Sequence, residues 1–270
     1  MKYYLYNSLA NNGIKPEVPG DVELIDAVGL DYKAYFDGLN EDDEVVLLGG
    51  DGTLNYFINE MKGYEIKNNV YLLGSGTGND FFNDIDKKAG DIVQINKYLE
   101  NLPTVRVNGF EKLFINNMGF GIDGYCCEVA DQIKEKTPNK EINYSGIAIK
   151  GLLFHFDPCH AKITVDGQVY EYDHVWLAPA MKGKFYGGGM KIAPDQDRFS
   201  DHLSVVVYKS KSKIKALMAF PSIFKGEHVA KKDMVAIHTG NKIKVEFSRP
   251  CAAQIDGETV LNVSEYEVEL

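Results

Sequence analysis

Between residues 45 and 59 the sequence VVLLGGDGTLNYFIN changes its period in mid-course. Up to the glycines it is an apolar run, the pattern of a strand covered on both faces. Beyond them Leu54, Phe57, Ile58 and Met61 recur at helical spacing. A strand that turns through Gly-Gly-Asp-Gly-Thr straight into a helix is half of a βαβ unit. The first hundred residues repeat that rhythm. KYYLY (2–6), VELID (22–26), EVVLL (44–48) and VYLLG (70–74) read as strands, and residues 32–39, 54–62 and 91–102 as helices. Alternation of this kind predicts a parallel sheet with helices on its faces.

From about Thr104 the texture changes. VRV, KLFINNMGF, AKITVDG, YEYDHVWLAPA, HLSVVVY, NKIKVEF and YEVEL alternate or run apolar, and Asn-Gly and Asp-Gly pairs punctuate them. Helices are expected at 124–136, 142–154 and 214–224, the last broken at Pro221. The fold class that follows is α/β plus β-rich. An N-terminal parallel-sheet domain covers 1–103, and an antiparallel, sandwich-like domain with inserted helices covers 104–270.

Composition excludes several classes. The chain has 270 residues, 44% of them hydrophobic, and no run approaches the roughly 20 apolar residues of a spanning helix. The opening MKYYLYNSLANNG lacks the apolar core and cleavage site of a signal peptide, which predicts a cytoplasmic protein. Cys126, Cys127, Cys159 and Cys251 have no zinc spacing, and the six histidines form no metal pair. A net charge of −10 argues against nucleic acid as a partner. Lysines do cluster in KSKSKIK (209–215), at Lys225 and at Lys231–Lys232. That stretch is either a solvated face or a patch for anionic headgroups.

Glycines at 49, 50 and 52 allow a ligand to approach the backbone, and the helix after them offers its N-terminus to phosphate. Asp51 would repel that phosphate unless a cation such as Mg²⁺ lay between them. A plain tight turn is the other reading. LLGSGTGNDFF (72–82) is a second glycine loop after the next strand, and in a parallel sheet the two would sit side by side where open α/β sheets bind ligands. Neither loop has the P-loop ending or the dinucleotide spacing.

GGDGTLN (49–55), GSGTGNDF (74–81), FINNMGFGIDG (114–124), FYGGGMKIAP (185–194) and QIDGE (254–258) together resemble the catalytic region of diacylglycerol kinases and bacterial lipid kinases, in family order. The resemblance implies a two-domain fold related to NAD kinases, with 1–103 binding the nucleotide and 104–270 the lipid. ATP is the expected cofactor, bound in a cleft between the domains. Asn7, Gly49, Gly50, Gly52, Thr53, Asn55, Gly76, Thr77, Asn79 and Asp80 would hold it. Asp51 would organise its Mg²⁺, and Glu258 would act as general base on the acceptor hydroxyl. Gly121, Asp123, Gly188 and Gly189 would line the substrate cleft. A diacylglycerol-like lipid and a transiently met membrane surface are the implied partners. A homodimer is allowed but not required.

This chain departs from the family pattern in places. Asn83 stands where an arginine is common, and Lys182 where an asparagine precedes the glycines. Ser200-Asp201 replaces the Asp-Gly of a segment that helps hold a structural Mg²⁺ in bacterial relatives, which puts that second metal in question. The connection after NSLANNG is short. Two alternatives therefore stay open: an NAD kinase-like enzyme, and a nucleotide- or lipid-binding module without catalysis. For Glu258 a bare Asp-Gly hairpin is the competing reading.

Overall fold

A computed structural model describes residues 1–9, 18, 22–75, 79–137 and 142–270. The chain folds as two compact units, Met1–Leu102 and Pro103–Leu270.

The first unit runs β1 (Lys2–Tyr6), β2 (Leu24–Asp26), α1 (Tyr32–Asp37), β3 (Glu44–Gly49), α2 (Asp51–Glu60), β4 (Asn69–Gly74), α3 (Asp80–Asp84) and β5 (Ile92–Gln94). Its sheet order is β2-β1-β3-β4-β5. The first four strands are parallel and β5 is antiparallel to β4. β3 is central, and Val45, Val46 and Leu47 are fully buried, as the unbroken apolar run requires. α2 covers one face through Phe57, whose ring lies 5.4 Å from that of Tyr32 and 5.9 Å from that of Phe36 on α1.

The expected helix over 91–102 is not formed. Ile92–Gln94 is an edge strand paired with Leu73–Tyr71, and Asn96–Tyr98 is a 3-10 turn. The cause is the Asn96 side chain. Its oxygen accepts from Val70 N (2.8 Å) and its amide donates to Asn68 O (2.8 Å), so it completes the start of β4 rather than a helical turn.

The second unit is a ten-stranded, mostly antiparallel β structure with helices inserted. It comprises β6 (Thr104–Val107), β7 (Phe110–Leu113), β8 (Asn117–Phe120), α4 (Ile122–Lys136), α5 (Tyr144–Lys150), β9 (Cys159–Val165), β10 (Gln168–Leu177), β11 (Ala180–Met181), β12 (Leu203–Lys209), α6 (Lys213–Ala219), α7 (Pro221–Phe224), β13 (Val235–Gly240), β14 (Lys242–Ile255) and β15 (Glu258–Glu269). β14 joins two layers: Ile243–Phe247 pairs with β9, and Ala253–Ile255 with β8. Its register against β15 shifts between Glu246 and Cys251, around Pro250, which cannot donate to a ladder. Phe120 stacks on Phe247 at 4.1 Å in the core between the layers.

Three hairpins turn through Asn108-Gly109, Asp166-Gly167 and Asp256-Gly257. All six residues have positive φ, the condition for a type I′ turn. KLFINNMGF, read as one strand, is two (β7 and β8), and α5 runs on as a π-helical turn over Gly151–His155.

Candidate active site

In the first unit the sequence-selected residues gather at one edge. Tyr6 is in register with Leu48, and Gly49 with Gly74, so Asn7, Gly49–Gly50 and Ser75 all follow the carboxyl ends of parallel strands. Asn7 closes an Asx turn by accepting from Leu9 N (2.8 Å). Asp26, which the sequence did not single out, ends β2 on the same edge and accepts from Ser8 N (3.2 Å) and Val28 N (3.1 Å).

The two glycine loops are tied to each other. Ser75 N donates to Gly49 O (3.0 Å). One oxygen of the Asp51 carboxylate accepts from Asp80 N (2.8 Å) and the other from Phe81 N (3.0 Å). Asp51 therefore anchors the start of α3, a role that its place in the sequence does not disclose. Asp80 itself is buried, and Asn79 is the N-cap residue of α3.

The glycines differ in what they do. A Cβ on Gly49 would fall 2.0 Å from Thr53 Oγ1, so this glycine makes room for Thr53 rather than for a ligand. Gly50 caps α2 with no side-chain bond, and a Cβ on Gly52 would meet nothing within 4 Å. The start of α2 thus carries no side-chain cap, and the backbone N–H groups of a helix's first turn suit an anion. Asn55 is fully buried on α2, and its carbonyl accepts from the Asn59 amide (2.8 Å). Gly76 and Thr77 lie outside the described residues.

In the second unit the strand entry at Ile115–Asn117 is a hub. Asp256, at the tip of the β14–β15 hairpin, accepts from Ile115 N (2.7 Å), Asn116 N (2.8 Å) and Asn117 N (2.9 Å). Buried Arg198 donates to Ile115 O (2.7 Å) and to Asn116 Oδ1 (2.8 Å), and Lys182 N and Gly183 N donate to Asn116 O. Glu258 is the first residue of β15, half-exposed, with its carboxylate paired to Lys112 Nζ on β7. The Asp-Gly hairpin and the carboxylate coexist, so the turn that competed with a catalytic reading is also what places Glu258.

Gly121 and Asp123 lie where β8 passes into α4. Gly121 has φ +122°, and a Cβ there would fall 2.4 Å from Trp176 O, so both conformation and space demand glycine. The Asp123 carboxylate is buried, which pushes its pKa up to about 6. The Gln254 amide and the N–H groups of Asp123 and Gly124 lie close enough to offset part of that rise, yet none is aligned as a hydrogen bond. Gly188 and Gly189 belong to a loop in which residues 187–189 all have positive φ and which Tyr186 and Met190 close by a mutual backbone pair. Ser200 is half-buried and accepts Lys182 Nζ at its carbonyl (3.3 Å), while the Asp201 side chain is exposed.

A concavity of about 460 Å³ lies against the β6–β7 hairpin, lined by Arg106, Phe110, Glu111, Lys244 and Glu265, and holds none of the motif residues. Among the described residues no three His, Cys, Asp or Glu side chains converge to hold a metal. Both Asp51 oxygens already accept a backbone N–H, so a Mg²⁺ arriving with phosphates would have only their remaining lone pairs, with its other ligands from the nucleotide and water.

Known proteins resemble this chain throughout. Residues 21–107 match the profile of the diacylglycerol kinase catalytic domain, and residues 116–267 that of the YegS C-terminal NAD kinase beta sandwich-like domain. A diacylglycerol kinase of Mycobacterium tuberculosis is 29% identical over 213 residues, which span 76% of this chain and 67% of that protein. One from Bacillus subtilis is 24% identical over 227 residues, 82% of this chain and 72% of that one. The crystal structure of a diacylglycerol kinase from Bacillus anthracis shares the fold at a TM-score of 0.66 and 21% identity, over 99% of this chain and 93% of that one.

Proposed function

This chain belongs to the family of diacylglycerol kinases and bacterial lipid kinases, and from that premise we propose that it transfers the γ-phosphate of ATP to the hydroxyl of a diacylglycerol-like lipid. The observation that carries the nucleotide half is the tie between the two glycine loops through Asp51, beside the uncapped N-terminus of α2. Phosphoryl transfer is mostly positioning and charge stabilisation, and the bonds from Ser75, Asp80 and Phe81 to Gly49 and Asp51 hold the described ends of the two loops together.

In this reading the backbone of Gly50–Thr53 receives the phosphates, with Asn7 and Asn79 at the margins of the same edge. Mg²⁺, when bound, neutralises charge that develops on the transferred group. Glu258 accepts the proton of the acceptor hydroxyl while that oxygen bonds to the γ-phosphorus, and the bond to the bridging oxygen of ADP breaks. For that step the Glu258 carboxylate must exchange Lys112 for the hydroxyl. Gly121, Asp123, Gly188 and Gly189 shape the acceptor side.

A lipid substrate calls for a membrane face. No helix among the described residues is long and apolar enough to cross a bilayer. The π-helical turn and α6 are neighbours, and they expose Phe154 (73%), Ile214 (66%) and Met218 (70%) among the lysines of the 209–215 stretch. Apolar side chains flanked by lysines suit contact with an anionic surface, on the cytoplasmic side.

The experiment is transfer of label from γ-labelled Mg-ATP into a panel of lipids and NAD, run beside Asp51→Asn and Glu258→Gln. Label in one lipid, lost in both variants, supports the proposal and names the acceptor. Label in NADP replaces the acceptor. Clear ATP binding without any transfer favours a binding module.

A further inference from the structure

The segment after Pro194 is where the family resemblance places a structural Mg²⁺, and the residues present do not fit one. Three oxygens of this segment do converge, as they would around a cation: the carbonyls of Asp197 and His202 and the hydroxyl of Ser200. What stands among them is the side-chain nitrogen of Gln196, 3.0 Å from Asp197 O, 3.0 Å from His202 O and 3.2 Å from Ser200 Oγ. These are hydrogen-bond lengths, well beyond the roughly 2.1 Å of a Mg–oxygen bond.

The protons account for the cage. The Gln196 amide has two and the Ser200 hydroxyl one, and the hydroxyl lies 2.7 Å from Asp197 O and 2.9 Å from His202 O. The amide oxygen of Gln196 accepts from Ser204 Oγ (2.6 Å), which fixes the nitrogen inward. Gln196 is 2% exposed and Ser204 4%, so both ends of the amide are satisfied away from water.

The charges around it disfavour a divalent ion. None of the segment's three carboxylates joins the cage: Asp195 is exposed, Asp197 Oδ1 takes Phe199 N (2.9 Å), and Asp201 is exposed and meets the His202 ring. Two buried cations are already there. Lys182 Nζ reaches Ser200 O, and burial first and then the Arg198 guanidinium lower the lysine's pKa, with the Asp197 carboxylate offsetting a smaller part of that shift.

We infer that the Gln196 amide takes the place of the structural cation in this chain. The loop 196–202 is closed by the protein's own N–H groups, and any Mg²⁺ requirement of the protein comes with the nucleotide alone. The inference rests on the loop geometry and stands whether or not the acceptor is a lipid.

Thermal unfolding without nucleotide, in EDTA and in millimolar Mg²⁺ or Ca²⁺ at pH 8, tests it together with metal analysis of the desalted protein. The wild type should carry no stoichiometric divalent ion and keep its Tm within about 1 °C across these conditions. Gln196→Glu replaces the amide nitrogen by a carboxylate oxygen among three others. It should lose about 5 °C or more in EDTA and regain much of that with the cation. Should it fail to fold, Gln196→Ala opens the cage without adding charge, and is expected to lower Tm in EDTA with no recovery on adding the cation. A wild type that holds the ion or loses several degrees in EDTA overturns the inference. So does a Gln196→Glu or Gln196→Ala variant with the wild-type Tm in EDTA.

Discussion

Asp51 and Asp80 are joined by a hydrogen bond from main chain to side chain: the N–H that opens α3 donates to the carboxylate that opens α2, at 2.8 Å. With the parallel bond from Phe81 N (3.0 Å) it makes one carboxylate the clasp of two loops. Asp51→Asn keeps the shape but turns an amide N–H toward one of those donors. Loss of a hydrogen bond to a charged, part-buried acceptor costs about 1.5–3 kcal/mol. The variant should lose unfolding free energy within that range, read as a lower urea midpoint, and bind ATP at least about tenfold more weakly. Urea titration and nucleotide titration read the two effects separately.

Gly52 and Gly121 separate ligand space from structural necessity. A Cβ at Gly52 meets nothing within 4 Å, whereas one at Gly121 meets Trp176 O at 2.4 Å with φ +122°. Gly52→Ala should hold or raise stability, by up to about 1 kcal/mol from helix propensity. If phosphates seat on the first turn of α2, the same methyl should weaken ATP binding. Gly121→Ala should cost several kcal/mol, roughly 10 °C in Tm at this size, or fail to fold. An unchanged ATP affinity in Gly52→Ala would remove the α2 N-terminus from the site.

The turns of this protein are written locally and its roles are not. Asn108-Gly109, Asp166-Gly167 and Asp256-Gly257 can be placed from dipeptides because type I′ geometry selects those residues. The β3–α2 switch is equally legible, since burial on both strand faces and one helix face leaves different periods. Ile92–Gln94 misleads because three apolar or amphipathic residues at an edge satisfy a helical pattern too, and the arbiter, Asn96 bonded to Val70 and Asn68, lies across the sheet. Gly49 reads as a ligand contact, yet it serves Thr53. The roles of Asp256 and Gln196 leave no mark on the sequence, because their partners stand 139 to 141 residues away in one case and in an irregular loop in the other.

Asp123 sets a pH dependence with a definite sign. Burial lifts its carboxyl from 3.8 to about 6, so between those values the folded chain binds more protons than the unfolded one. Stability contributed by this group is highest below about pH 4, falls as pH rises toward 6 and is level above. The full difference is on the order of 3 kcal/mol. Asp123→Asn should therefore match the wild type near pH 4 and exceed it by up to about 3 kcal/mol at pH 7–8, as read by denaturant unfolding across the range. Equal stability at both ends would mean that the carboxylate is solvated. A gain in stability with a loss of transfer would mark Asp123 as a residue kept for the reaction at a structural penalty.

Glu258 and Lys112 are the pair in which stability and chemistry come apart most cleanly. The Glu258 side chain is 51% exposed and that of Lys112 20%, and surface pairs of this kind contribute about 0–1 kcal/mol. Glu258→Gln should thus leave the urea midpoint almost unchanged. If the carboxylate takes the acceptor proton, the same variant should lose about 10²–10⁴ in kcat with nucleotide binding intact. Lys112→Met is the complementary test. It leaves Glu258 without its ion partner, so it should also fold like the wild type, while the salt dependence of turnover that comes from breaking the pair should flatten. Both variants are soluble controls for each other, because the hairpin that carries Glu258 is held by Asp256, through three backbone bonds to residues 115–117, and not by the ion pair. A Glu258→Gln enzyme with wild-type kcat would return this residue to a plain hairpin position and leave the base to be sought elsewhere, with Asp123 the first to be tested.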